Sequence, residues 1–199
     1  MKTLDYYFTP QSPYTYLGHE RLAGMAARAG AKLRVLPVDM GRVFAVSGGL
    51  PLGKRAPQRQ AYRLVELRRF SAWLGLPLNL HPKYFPVSGD DAARLILAVD
   101  RADGADAATQ ITGRILRAVW VQERDIANAD TLAELLAEAG LPAARWAESR
   151  TDELQLQYER GTQQAIEAGV FGAPTVVLDG EMFWGQDRLD FLERALARR

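Results

Sequence analysis

Two short segments hold the residue types from which chemistry is built. Ser12-Pro13-Tyr14 stands where an apolar, aromatic run gives way to a helical pattern, and Gly172-Ala173-Pro174-Thr175 precedes a β-branched run near the other end of the chain. Serine suits a helix cap and proline the first helical position, so Ser-Pro puts a hydroxyl at a helix N-terminus. There the unpaired backbone N–H groups and the positive end of the helix dipole favour an anion. A thiolate is the anion we expect, yet the sequence has no cysteine. Any thiol chemistry beside Ser12 must come from a bound small molecule.

Composition narrows the field further. Without cysteine there are no disulfides, zinc–thiolate sites or cysteine nucleophile, and two histidines, His19 and His81, leave little for a metal cluster or a Ser-His-Asp triad. No metal is expected. His19 lies about 10 Å along the helix from Ser12, too far to act as its base, and His81 reads as structural in a proline-rich loop. Lys plus Arg of 25 against Asp plus Glu of 24 gives a net charge of +1, so nothing global attracts nucleic acid or a membrane. No apolar run approaches a membrane span, and Met-Lys-Thr-Leu-Asp-Tyr lacks the apolar core of a secretory signal. The cytoplasm is the expected location.

The elements that position the two segments follow from periodicity. Thr3 to Phe8 is a buried strand. After Ser12, Gly18, Leu22, Met25, Ala26 and Ala29 share one helical face up to Gly30, and Leu33 to Val38 is the next strand. With a right-handed crossover this is a parallel βαβ unit. From Gly41 to Gly169 amphipathic helices take over: Leu64, Leu67, Phe70 and Leu74; Ala92, Leu95, Ile96 and Val99; Ile111, Ile115, Ala118 and Val119. Thr131 with Glu134 matches a capping box ahead of Leu132, Leu135 and Leu136, and a last helix carries Leu154, Tyr158, Gly161, Ala165 and Ala168. Thr175–Leu178, the Asp179-Gly180 turn and Glu181–Trp184 form a hairpin, followed by a helix with Leu189, Leu192 and Leu196. The expected fold is α/β, a thioredoxin-like domain of βαβ and ββα halves (residues 1–40 plus 170–199) carrying an all-helical insertion (41–169).

Phe8-Thr-Pro-Gln-Ser-Pro-Tyr-Thr-Tyr-Leu-Gly18, Trp120-Val-Gln-Glu-Arg-Asp-Ile126, Val170-Phe-Gly-Ala-Pro-Thr175 and Phe183-Trp-Gly-Gln-Asp-Arg-Leu189, in that order, resemble the 2-hydroxychromene-2-carboxylate isomerase family. That family groups with kappa-class glutathione transferases in the clan of the disulfide oxidoreductase DsbA, and the resemblance covers essentially the whole chain. It implies a homodimeric, glutathione-dependent isomerase of aromatic hydrocarbon catabolism, interconverting 2-hydroxychromene-2-carboxylate and trans-o-hydroxybenzylidenepyruvate by transient thiolate addition. The alternatives are a kappa-like transferase or peroxidase that consumes the thiol, and a thioredoxin-like binding protein without turnover. Disulfide exchange is excluded by the missing cysteines.

The resemblance also implies roles. Ser12 would be the catalytic residue, donating to the glutathione sulfur. Ala173-Pro174 would be a cis-proline loop, with the Ala173 backbone pairing with the cysteinyl backbone like an added strand. Backbone N–H groups of Gln186, Asp187 and Arg188 would hold the γ-glutamyl carboxylate while Asp187 takes the ammonium; otherwise Asp187 is an ordinary first-turn acid. Lys54, Arg55, Arg59, Arg63, Arg68 and Arg69, opposed only by Glu66, form either a basic rim for carboxylates or, for most of them, a solvated helix face. Arg59 falls where the family commonly has a glutathione-binding lysine. Gly49 replaces a frequent asparagine and Thr9 a frequent aspartate. Phe44, Tyr84 and Trp184 either line an aromatic substrate pocket or belong to the core.

Overall fold

A computed structural model describes residues 2–198. Strands β1 (Thr3–Phe8), β2 (Lys32–Pro37), β3 (Thr175–Leu178) and β4 (Glu181–Trp184) form one sheet in the order β2-β1-β3-β4. β1 and β2 are parallel, whereas β3 runs antiparallel to both β1 and β4. This is the thioredoxin-like arrangement, with a helical block between its halves. The β3–β4 turn has φ of 50° at Asp179 and 83° at Gly180, the positive pair that a tight hairpin of this hand requires.

Alternation along β1 sends its side chains to opposite faces. Leu4, Tyr6 and Phe8 enter the large core, which they share with Leu17, Leu22 and Met25 of α1 (Pro13–Arg28) and Leu189, Leu192 and Leu196 of α9 (Leu189–Arg198). Tyr7 faces the other way, onto Val38, Ala165 and Val170. The insertion comprises α2 (Met40–Ser47), α3 (Pro57–Leu74), α4 (Asp90–Asp103), α5 (Ala105–Trp120), α6 (Ala129–Glu138), α7 (Ala144–Ser149) and α8 (Asp152–Glu167). α4 is buried on two faces: Leu95, Ile96 and Val99 join the large core, while Ala93, Leu97 and Ala98 pack on Leu154 and Tyr158 of α8. The insertion and the sheet therefore share one continuous core.

Two boundaries differ from the sequence expectation. β2 ends at Pro37 rather than Val38. More informatively, α6 is capped by Asn128, whose Oδ1 accepts from the N–H groups of Asp130 and Thr131 at 2.8 and 3.2 Å. Asparagine is as good a cap as threonine and lies one turn earlier, so Thr131 falls inside the helix and forms no capping box.

Candidate active site

The site begins at the start of α1. Ser12 has extended backbone angles and its Oγ accepts the Thr15 N–H at 3.2 Å, the geometry of a helix cap. Its own O–H has no acceptor among the described residues. Pro13 has no N–H to offer. Only about 8% of Ser12 is exposed, so the hydroxyl and the helix start sit in a partly dehydrated place where charge interactions are strengthened.

The hairpin presents the second part. The Ala173–Pro174 peptide is cis, and the Pro174 carbonyl accepts from the Gly185 N–H at 2.8 Å, tying the loop before β3 to the turn after β4. Thr175 Oγ1 donates to the Gly172 carbonyl at 2.7 Å, and Thr175 stands opposite Trp184 in the ladder. Gly172 has to be glycine here, since a Cβ on it would come within 2.3 Å of the Trp184 indole nitrogen. α1 meets the same turn through Gly18, where a Cβ would fall 2.8 Å from the Cβ of Gln186. Two close approaches thus hold α1 against the 185–188 turn and the proline loop against β4.

Between these elements and α3 lies a cleft of about 250 Å³, lined by Ala173, Trp184, Gln186, Asp187 and Arg188 from the hairpin side and Arg59 from α3. These six, singled out from sequence, meet around one cleft. Ser12 and Pro174 are not lining residues themselves; they flank Tyr14 and Ala173, which are. Phe44 and Tyr84 lie elsewhere. The Phe44 ring covers Gly49, and Tyr84 carries the Lys83 ammonium 5.0 Å from its ring centroid. Arg188 is ion-paired with Asp187.

Arg55 of the expected basic rim also lines the cleft, as do Tyr14, Glu66 and Phe70, which were not assigned a role from sequence. Arg59, Glu66 and Phe70 recur at i, i+7 and i+11, one face of α3, so helical spacing from Arg59 was the signal that would have found two of them. Tyr14 Oη donates to Glu66 Oε2 at 3.0 Å. Burial, and then the neighbouring Glu66 charge, push the Tyr14 phenol well above its ordinary range, so it stays a donor at any physiological pH. Burial and then repulsion from Arg59 lower the Arg55 pKa.

Gln186 is the most telling member. It is about 1% exposed, and neither its amide oxygen nor its amide nitrogen has a partner among the described residues. A buried primary amide without partners costs on the order of 1–3 kcal/mol, which a ligand with a donor and an acceptor would offset. The backbone of Ala173 likewise makes no hydrogen bond among the described residues. The cleft therefore offers an unpaired strand segment, an unpaired amide and a cationic wall, a set suited to a small peptide bearing carboxylates.

His19 is held away from this chemistry. Its ring nitrogens face Tyr6 Oη at 3.4 Å and the Thr109 carbonyl at 2.9 Å, in the contact between α1 and α5. Among the described residues no three His, Cys, Asp or Glu side chains gather as a metal site, and no helix is long and apolar enough to cross a membrane.

Residues 3–197 match the family of DSBA-like thioredoxin domains. A 2-hydroxychromene-2-carboxylate isomerase of Sphingobium xenophagum is 31% identical over 98% of this chain and 98% of its own length. One from Pseudomonas putida is 29% identical over 98% and 94%. A solved structure of 2-hydroxychromene-2-carboxylate isomerase superposes with a TM-score of 0.82 at 28% identity, covering 98% of this chain and 95% of that one.

Proposed function

The chain belongs to the DSBA-like thioredoxin family, among the 2-hydroxychromene-2-carboxylate isomerases, and from that membership we propose that it is an isomerase working with glutathione. Its substrate pair in this reading is 2-hydroxychromene-2-carboxylate and trans-o-hydroxybenzylidenepyruvate. Bound glutathione supplies a thiol whose reversible addition to a conjugated double bond lets that bond rotate, and it is regenerated unchanged. The observation that carries the reading is the cleft at the cap of α1, whose unpaired Gln186 amide and Ala173 backbone await a peptide in a chain with no thiol of its own.

Each residue has a distinct task. The Ser12 O–H, its oxygen already accepting from Thr15, donates to the sulfur and favours the thiolate, and the α1 dipole acts in the same direction. Ala173 pairs with the cysteinyl backbone through its free N–H and C=O. The turn N–H groups and the side chains of Gln186, Asp187 and Arg188 hold the γ-glutamyl end, and Arg59 neutralises a carboxylate from the α3 side. Trp184 stacks on the ligand from the hairpin. Phe44 and Tyr84, expected to line the substrate pocket, do not line this cleft and have no part in this proposal. The protein works in the cytoplasm as a homodimer.

One assay tests the whole reading. The purified chain is mixed with the chromene carboxylate, with and without glutathione, and product absorbance and free thiol are followed together. Turnover that requires glutathione with no loss of thiol is the expected result. Stoichiometric loss of thiol would make it a transferase, and no turnover in either case would make it a binding protein.

A further inference from the structure

A second cleft, of about 720 Å³, lies between β4 and α9. One side of it is the outer edge of the sheet, since β4 ends the order β2-β1-β3-β4. Alternation along the strand decides which backbone groups that edge offers. The Gly185 N–H points inward to the Pro174 carbonyl on the β3 side, so Phe183, two residues earlier, also turns its N–H and C=O to β3, and Met182 and Trp184 turn theirs outward. No partner for these outward groups occurs among the described residues.

Across the cleft α9 presents Phe191, Arg194, Ala195 and Arg198, spaced i, i+3, i+4 and i+7 on one helical face. Phe191 is 58% exposed, so this face holds an aromatic ring in water beside two cations. The helix also separates its charges. Asp190 and Glu193 pair with Arg21 and Arg28 of α1, whereas Arg194 and Arg198 make no ion pair among the described residues. Arg188, also at the cleft, is taken by Asp187.

An open strand edge beside an apolar and cationic helix face is the complement of extended chain that completes a backbone ladder and sets acidic side chains against the helix. We propose that this cleft docks an extended acidic peptide segment of a partner protein as a fifth strand on β4, its carboxylates at alternate positions pairing with Arg194 and Arg198 and an apolar side chain resting on Phe191. Same-face side chains of a strand stand about 7 Å apart and residues four apart on a helix about 6 Å, so one alternating segment reaches both arginines. A second copy of this chain also has a β4 edge to give. Joining two such edges antiparallel about a two-fold axis, however, lays the two α9 arginine rows side by side, and like charges oppose it. The inference does not rest on the isomerase reading, although Trp184 and Arg188 also line the cleft assigned to glutathione.

The test is fluorescence anisotropy of a short labelled peptide alternating valine and glutamate, titrated with the full chain at low salt and without glutathione. This peptide should bind, a valine–lysine counterpart should not, and added salt should weaken the complex. Two isomers N-methylated either on the valines or on the glutamates carry the same charge, but only one set of N–H groups can face β4. One isomer should therefore bind as the parent does and the other at least about tenfold more weakly. Arg194→Gln combined with Arg198→Gln, both at exposed positions, should weaken the glutamate peptide about five- to thirtyfold, the loss of two solvent-exposed ion pairs. Sedimentation velocity should find the same association state with and without peptide. Equal binding of the glutamate and lysine peptides, equal effects of the two methylation patterns, or full affinity in the double variant would overturn the docking site. A peptide that splits an assembly of copies would give the edge to a second copy and overturn it as well. The methylation arm uses the wild type and so does not depend on how the variant folds, and a failure of glutathione-dependent turnover touches only the isomerase reading.

Discussion

Replacing Ser12 separates the cap that its oxygen forms from the donor role proposed for its hydroxyl. As a cap, Oγ accepts a single N–H, that of Thr15, at 3.2 Å, long for such a bond. Its loss in Ser12→Ala should cost about 1 kcal/mol and, in a chain of this size, lower Tm by about 2–4 °C. In the proposed donor role the hydroxyl would make a charge-assisted hydrogen bond to the glutathione sulfur, worth about 1.5–3 kcal/mol. Losing that should slow turnover by about 10- to 150-fold and raise the pH at which the bound thiol titrates by about one to two units. The sign follows from the donor stabilising the ionised form: without it, less thiolate is present at any pH below the titration midpoint. Ser12→Gly keeps most of the capping ability, because glycine costs the cap only a few tenths of a kcal/mol, but has no hydroxyl. The expected pattern is equal loss of rate in both variants with a clear drop in Tm only for alanine. Thiolate absorbance of the complex against pH, glutathione-dependent turnover and thermal melts read the three quantities. Wild-type turnover in either variant, or an active Ser12→Gly beside an inactive Ser12→Ala, would refute the donor role.

Gly18→Ala should drive α1 from the 185–188 turn, because its Cβ would meet Gln186 Cβ at 2.8 Å and Cα at 3.4 Å; overpacking of about 1–3 kcal/mol should lower Tm by about 2–10 °C and weaken glutathione binding in calorimetry. Asn128→Ala should cost about 1 kcal/mol in a denaturant melt while Thr131→Ala costs less than half as much, since only Asn128 caps α6. Burial, opposed more weakly by the Thr109 carbonyl and Glu20, holds the His19 pKa below its ordinary value. As pH falls through about 6.5 the unfolded chain takes up this proton and the folded chain does not, so stability declines there, and His19→Gln should flatten that stretch of a Tm-against-pH curve.

What the sequence revealed was chemistry of short range. Ser12 as a cap, Asp179-Gly180 as a tight turn and the alternation of Leu4, Tyr6 and Phe8 are each decided by residues within a turn or a strand of one another. The same locality explains the misplaced cap of α6, where two good capping residues stood three apart and only packing chose between them. Arg63 lay beyond that range. In a stretch as basic as Lys54 to Arg69 it looks like its solvated neighbours, and its burial is imposed by Phe85 and Trp120, far off in the chain. Gln186 is similar, since the closeness of Gly18 that strips it of water belongs to another element entirely. Family resemblance directed attention to Arg59, yet it is the fold that brings Tyr14, Glu66 and Phe70 to the same cleft.

The same geometry favours the proposed donor role of the serine at this cap over a nucleophilic one. An alcohol attacks only when a base removes its proton, and the one partner of Ser12 Oγ among the described residues is itself an N–H, which presses the oxygen toward giving its proton outward. The histidine on the same helix is committed to Tyr6 and Thr109 and lies in the contact with α5. A helix dipole that favours negative charge works against protonated sulfur in a bound thiol, and an alcohol placed beside it strengthens that effect without becoming charged. In a chain without cysteine, this helix start therefore suits the thiolate of a bound molecule. That the Gln186 amide is unpaired among the described residues agrees with such a division of labour, for in this scheme the protein's own contribution is completed only by what it binds.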